Sequence, residues 1–117
     1  MHTYSKEEIA DLLEKRLPDW EYADGSLLRT YNTQGWKSAL VLASTIGHLA
    51  EVAWHHPELR LHYSKVEVHL HTHSENGITE LDFELAEKIE QVIGWVPPEG
   101  SSLSGTPDDP KYRHLKL

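Results

Sequence analysis

Apolar residues recur at helical spacing in three stretches of the chain and alternate with polar ones between them. The first helical stretch opens at Ser5. Ser5 and Glu8 have capping-box spacing, in which each side chain satisfies a free backbone N–H of the first turn. Ile9, Leu12, Leu13 and Leu17 then share a face, and Pro18 ends the run. Trp20-Glu21-Tyr22 and Leu27 to Tyr31 are short extended runs on either side of an Asp24-Gly25 turn signal, which predicts a hairpin. From Gly35 to Trp54 the pattern is helical again. Trp36, Leu40, Ala43, Ile46, Gly47, Ala50 and Ala53 predict its buried stripe, and Gly47 predicts a tight approach to a sheet. His55-His56-Pro57 ends this helix, because proline disfavours helix in the residue before it.

A strand is expected from Lys65 to Thr72, with Val66, Val68 and Leu70 on one face and Glu67, His69 and His71 on the other. The pattern leaves open whether Arg60 to His62 adds another strand. Ser74 to Gly77 read as a turn. Thr79 starts the last helix, whose expected buried face is Leu81, Leu85, Ile89 and Val92. Pro97 to Pro110 is rich in Pro, Gly, Ser and Asp, so residues 97–117 read as a loop-rich tail, with Trp95 and Tyr112 as its expected anchors. The order is helix, strand, strand, helix, strand, helix. It predicts an α+β fold, a small antiparallel sheet of about four strands with about three helices on one face.

Length and charge narrow the setting. The 117 residues suit a single domain, 1–117, with a core small enough that self-association would help it. The net charge of −8 argues against a nucleic-acid backbone and against an anionic membrane. There is no Cys, so disulfides, thiolate chemistry and cysteine zinc sites are excluded. The charged N-terminal stretch lacks the apolar run of a signal peptide, and no stretch is long and apolar enough to span a bilayer. A cytoplasmic location is the expectation.

Histidine changes the picture most. Nine are present, and six lie between Ala53 and Ser74. Imidazole titrates near neutral pH, so such a cluster suits acid–base chemistry or metal binding. Glu51 and His55 are four apart near a helix end, a spacing that predicts a carboxylate–imidazole pair. A helix end also favours histidine through its dipole alone. His73 stands at the end of the central strand, and Asp82 lies in the first turn of the last helix, where it also has capping-box spacing from Thr79. His69, His71 and His73 alternate, which would place them on one face as candidate zinc ligands with Glu51 or Asp82. That signal is weak: opposite an apolar face, alternating histidines are what the wet side of a half-exposed sheet carries, and the expectation is no metal. His69 and His71 read as bystanders. No nucleophile elbow and no glycine-rich phosphate loop are present.

The run Glu51 to Glu58, then Tyr63-Ser64-Lys65-Val66, Thr72-His73, Asp82 and Ile89-Glu90-Gln91-Val92, resembles the pterin-4a-carbinolamine dehydratases. The resemblance is tight from Glu51 to Val92 and loose before Ala50. It implies dehydration of 4a-hydroxytetrahydropterin to quinonoid dihydropterin in tetrahydrobiopterin recycling, with no metal and no cofactor. It implies that His55 and His73 carry the protons, that His56 orients the pterin, and that Glu51 and Asp82 position these groups. Pro57 and Thr72-His73-Ser74-Glu75 match pterin-contacting segments. One departure is Leu59, where the family usually places a Trp beside the pterin. The resemblance further implies a homodimer or homotetramer. It also carries an alternative, a non-enzymatic role as a dimerisation cofactor or a Rubisco assembly factor, since fold does not fix function.

Overall fold

The architecture comes from a computed structural model that describes residues 1–116. Helix α1 spans Lys6–Arg16, strand β1 Glu21–Ala23, β2 Ser26–Asn32, helix α2 Trp36–Ala53, strand β3 Glu58–His62, β4 Lys65–Leu70 and helix α3 Glu80–Ile93. The strands form one antiparallel sheet in the order β1-β2-β4-β3. The Arg60–His62 question is thereby answered: that stretch lies in β3, the outer strand paired to β4. The β1–β2 hairpin turns on Asp24 and Gly25, both at positive φ (52° and 80°), which matches the right-handed twist of the strands.

The sheet has one covered face. Val66, Val68 and Leu70 of β4 and Leu27 and Tyr31 of β2 are buried against residues of all three helices. Both predicted capping boxes form, Ser5 with Glu8 and Thr79 with Asp82. Each of the two later helices buries part of the face the spacing predicts, Ile46 and Ala50 of α2 and Leu85 and Ile89 of α3, and turns other members of that stripe outward. On α2 the buried stripe is Ala39, Leu42, Ile46 and Ala50, while Trp36, Leu40 and Ala53 are exposed. On α3 it is Phe83, Leu85, Ala86, Ile89 and Ile93, with Leu81 and Val92 exposed. Apolar residues occur on both sides of these helices, so periodicity leaves the choice of face to packing. Gly47 marks no tight approach: a Cβ there would meet nothing within 4 Å.

Polar bridges tie the helices to the rest. Arg16 of α1 donates to Glu80 (2.6 Å) and Glu87 of α3. Glu90 Oε1 accepts from Trp20 Nε1 (2.8 Å), Arg29 Nε (2.7 Å) and Tyr31 OH (2.7 Å). Burial alone would raise the Glu90 carboxyl, but these three donors outweigh it and hold the group below the usual range. The tail returns to the sheet. Leu115 forms an antiparallel bridge with Thr33, the Lys116 N–H donates to Asn32 O (2.9 Å), and His114 pairs with Ser38 (2.7 Å). Partly buried Leu115 packs against the core, whereas the expected anchors Trp95 and Tyr112 are exposed.

Candidate active site

The site is built where α2 ends, β4 ends and α3 begins. Helix α2 stops at Trp54, which takes a left-handed conformation (φ 55°) and donates its N–H to Ala50 O. That turn sends the next two side chains different ways. His55 reaches inward to α3, where its Nε2 lies 2.7 Å from Asp82 Oδ1. His56 points outward, and its Nε2 lies 2.6 Å from Glu51 Oε1. The spacing-based pairing is thus corrected. Glu51 serves His56, and the partner of His55 comes from 27 residues further along the chain.

Asp82 is fully buried and fully satisfied. Its Oδ2 accepts from the Thr72 hydroxyl (2.7 Å) and from the Thr79 N–H (2.9 Å), and the two threonine hydroxyls lie 2.9 Å apart. One carboxylate therefore caps α3 with one oxygen and faces His55 with the other. A buried carboxylate costs heavily unless it is hydrogen-bonded, and here each of its oxygens has a partner. Facing a carboxylate, His55 Nε2 carries its proton, which leaves Nδ1 free to accept one. The side chain of Thr72 is spent on Asp82, so any contact between Thr72 and a ligand runs through its backbone. Thr79 enters the network as a partner that the sequence shows only as a cap.

His73, Ser74 and Glu75 form a short 3-10 turn after β4, and all three are exposed. A cavity of about 330 Å³ lies beside it, lined by His56, His69, His71 and His73, by Glu58 and Arg60 of β3, and by the Asp24-Gly25-Ser26 turn. His69 and His71 share this wall with His56 and His73. The His71 and His73 rings meet edge to face at 4.9 Å. His55 opens instead onto a neighbouring cleft of about 510 Å³ between α2 and α3, walled by Leu49, Val52, Leu81 and Leu85. Four imidazoles, His56, His69, His71 and His73, stand on one cavity and a fifth, His55, on the adjoining cleft; His55, His56 and His73 each have a carboxylate or another imidazole within reach, an arrangement that can donate and accept protons from two sides. Pro57 is half-buried at the bend between His56 and β3. Leu59 is partly buried and packs against the core, so no aromatic ring lines the cavity from that position. Among the described residues, no three His, Asp or Glu side chains are arranged to hold a metal ion. Among them, too, no helix is long and apolar enough to cross a membrane.

The chain is thus a small α+β fold with a His-His-Pro bend, a buried His–Asp pair and a histidine-walled cavity. Comparison with known proteins gives the family. Residues 2–92 match the family described as pterin 4 alpha carbinolamine dehydratase, and this chain belongs to that family. It is 38% identical over 89 residues to a protein of Aquifex aeolicus, covering 76% of this chain and 89% of that one. It is 42% identical over 86 residues to one of Haloarcula marismortui, covering 73% and 89%. Both bear the name "Putative pterin-4-alpha-carbinolamine dehydratase". A crystal structure of a transcriptional coactivator/pterin dehydratase from Brucella melitensis superposes with a TM-score of 0.70 at 30% identity, covering 78% of this chain and 98% of that one.

Proposed function

We propose that the protein dehydrates 4a-hydroxytetrahydropterin, a lyase reaction that yields quinonoid dihydropterin and water. The observation that carries this reading is the pair His55–Asp82, at 2.7 Å with the carboxylate wholly out of water. The reaction breaks the C4a–O bond, so one group must protonate the leaving hydroxyl while another takes the N5 proton. His55, oriented by Asp82 on the cleft between α2 and α3, and His73, on the wall of the histidine-lined cavity, are the two proton carriers, and the pterin lies across the two openings. His56, held by Glu51, orients the ring system, and backbone groups of Thr72 to Glu75 meet its polar edge. A cavity of this size is at the low end of small-molecule sites and suits a bicyclic ligand. No step calls for a metal or a redox cofactor. The setting is the cytoplasm, and the assembly is a homodimer or homotetramer. Apolar side chains on α2 (Leu40, Val41, Val52), exposed in the monomer, support that assembly.

The test is the rate of dehydration of enzymatically generated 4a-hydroxytetrahydropterin. The wild-type protein should exceed the spontaneous rate, and His55→Ala and His73→Ala should each lose about 10²–10⁴-fold, the usual worth of a positioned acid or base. A wild-type rate equal to the spontaneous one overturns the enzymatic reading and leaves a binding or assembly role on the same scaffold.

A further inference from the structure

We infer that Trp54 is a positioning residue for His56, kept in an unfavourable backbone conformation for that purpose. The inference rests on the proposed reading, in which His56 orients the pterin.

The end of α2 requires a left-handed residue at position 54, so that His55 can turn toward Asp82 and His56 toward Glu51. Glycine or asparagine is the usual occupant of such a position. Two other non-glycine residues have positive φ, Asp24 and Asn76, and both have the short polar side chains that tolerate it. Tryptophan is a poor choice on backbone grounds. Burial does not repay it either, because the residue is 76% exposed. What the indole touches is His56: the rings meet edge to face, with centroids 5.0 Å apart at 83°, a favoured aromatic geometry.

His56 needs such support. Its side chain is 49% exposed, so little packing fixes its rotamer. Glu51 accepts at Nε2 and Trp54 presses on the ring, both from the last turn and cap of α2. Between them they hold the imidazole at the mouth of the cavity it shares with His69, His71 and His73. Strained residues that persist beside a cavity mark places where side-chain placement outweighs backbone comfort.

The experiment compares Trp54→Asn and Trp54→Phe with wild type by thermal unfolding, by the imidazole ring-proton resonances of His56, and by steady-state dehydration kinetics. Trp54→Asn suits the backbone and should raise Tm by about 3–6 °C. It should also move the His56 resonances, by removal of the indole ring current, well beyond any change at His69 or His71. KM should rise several-fold with kcat little changed, the mark of lost ligand placement. Trp54→Phe keeps a ring and the strain, so it should retain the wild-type KM and Tm. A Trp54→Asn variant with higher Tm but unmoved His56 resonances and KM overturns the inference, as does one with lower Tm. If the wild type turns over no pterin, the proposed function falls, and the resonance and Tm comparison alone decides the role of Trp54.

Discussion

Asp82→Asn changes one heavy atom in the best-sheltered polar group of the site, and its effects on stability and on rate should separate. In the wild type, Oδ2 accepts two donors, the Thr79 N–H at 2.9 Å and the Thr72 hydroxyl at 2.7 Å, while Oδ1 faces His55. An amide has one accepting end. The Thr79 N–H can only donate, so the amide oxygen must take the Oδ2 place and the NH₂ must face His55. His55 Nε2 then has to accept, which moves its proton to Nδ1. Thr72 loses nothing, since its hydroxyl keeps the amide oxygen and the Thr79 hydroxyl. The fold therefore trades a charged cap for a neutral one and should lose about 1–2 kcal/mol. Activity should fall much further, by about 10²–10⁴-fold, because the imidazole is left in the wrong tautomer for its task. Urea unfolding followed by tryptophan fluorescence measures the first effect, and the dehydration rate in native buffer measures the second. Asp82→Ala is a poorer probe. It orphans a buried N–H at a penalty of about 1–3 kcal/mol more, so loss of rate there mixes with loss of fold. An Asp82→Asn variant as fast as wild type refutes the reasoning and reduces the His55–Asp82 pair to a structural tie.

Three further outcomes are expected. Glu90→Gln leaves Arg29 without its anion while keeping one acceptor for Trp20 and Tyr31, and should cost about 1.5–3 kcal/mol, read as a lower urea midpoint at unchanged slope. Glu80 is held below its ordinary value of 4.5 chiefly by the Arg16 hydrogen bonds, and Glu90 is likewise lowered. Folded values below unfolded ones mean that the stability these groups add is fully present above about pH 4.5 and is lost as pH falls through the folded values. Arg16→Gln should therefore flatten the acid limb of a stability–pH curve, and an acid limb no different from wild type contradicts the bridge. Ile89→Ala, at a fully buried position between α3 and the sheet, should destabilise by about 2–5 kcal/mol, and a loss near zero would mean that the helix packs by another face.

Much of the fold was legible along the chain because the governing rules are local. The capping boxes at Ser5 and Thr79 depend on side chains three residues apart, and both form. The alternation of Val66, Val68 and Leu70 identified the buried face of β4 without help from other elements. The Asp24-Gly25 turn states its own backbone angles. The faces of α2 and α3 were less legible. Val41, Val52, Leu81 and Val92 are apolar but exposed, and a periodic pattern cannot tell a core stripe from an outer one. The composition of the tail marks it as a loop and carries no pattern that points to strand pairing. The tail gains its bridge at Leu115 because β1 is too short to cover that end of β2.

For the site, the sequence by itself supplied the chemistry: the His-His-Pro bend, the acid one turn earlier, Thr72-His73 and an aspartate in the first turn of a helix. It also placed each of them at the end of an element, where a side chain can point into a gap. Which acid serves which imidazole was decided only by the tertiary structure. Glu51 is close in sequence to both histidines, but one left-handed residue at Trp54 turns His55 away from it and His56 toward it. Asp82 reaches His55 because α3 packs beside α2, an interaction spanning 27 residues that no local rule encodes. Side-chain type is written residue by residue, whereas pairing depends on a backbone angle and on helix packing, which exist only once the chain has folded.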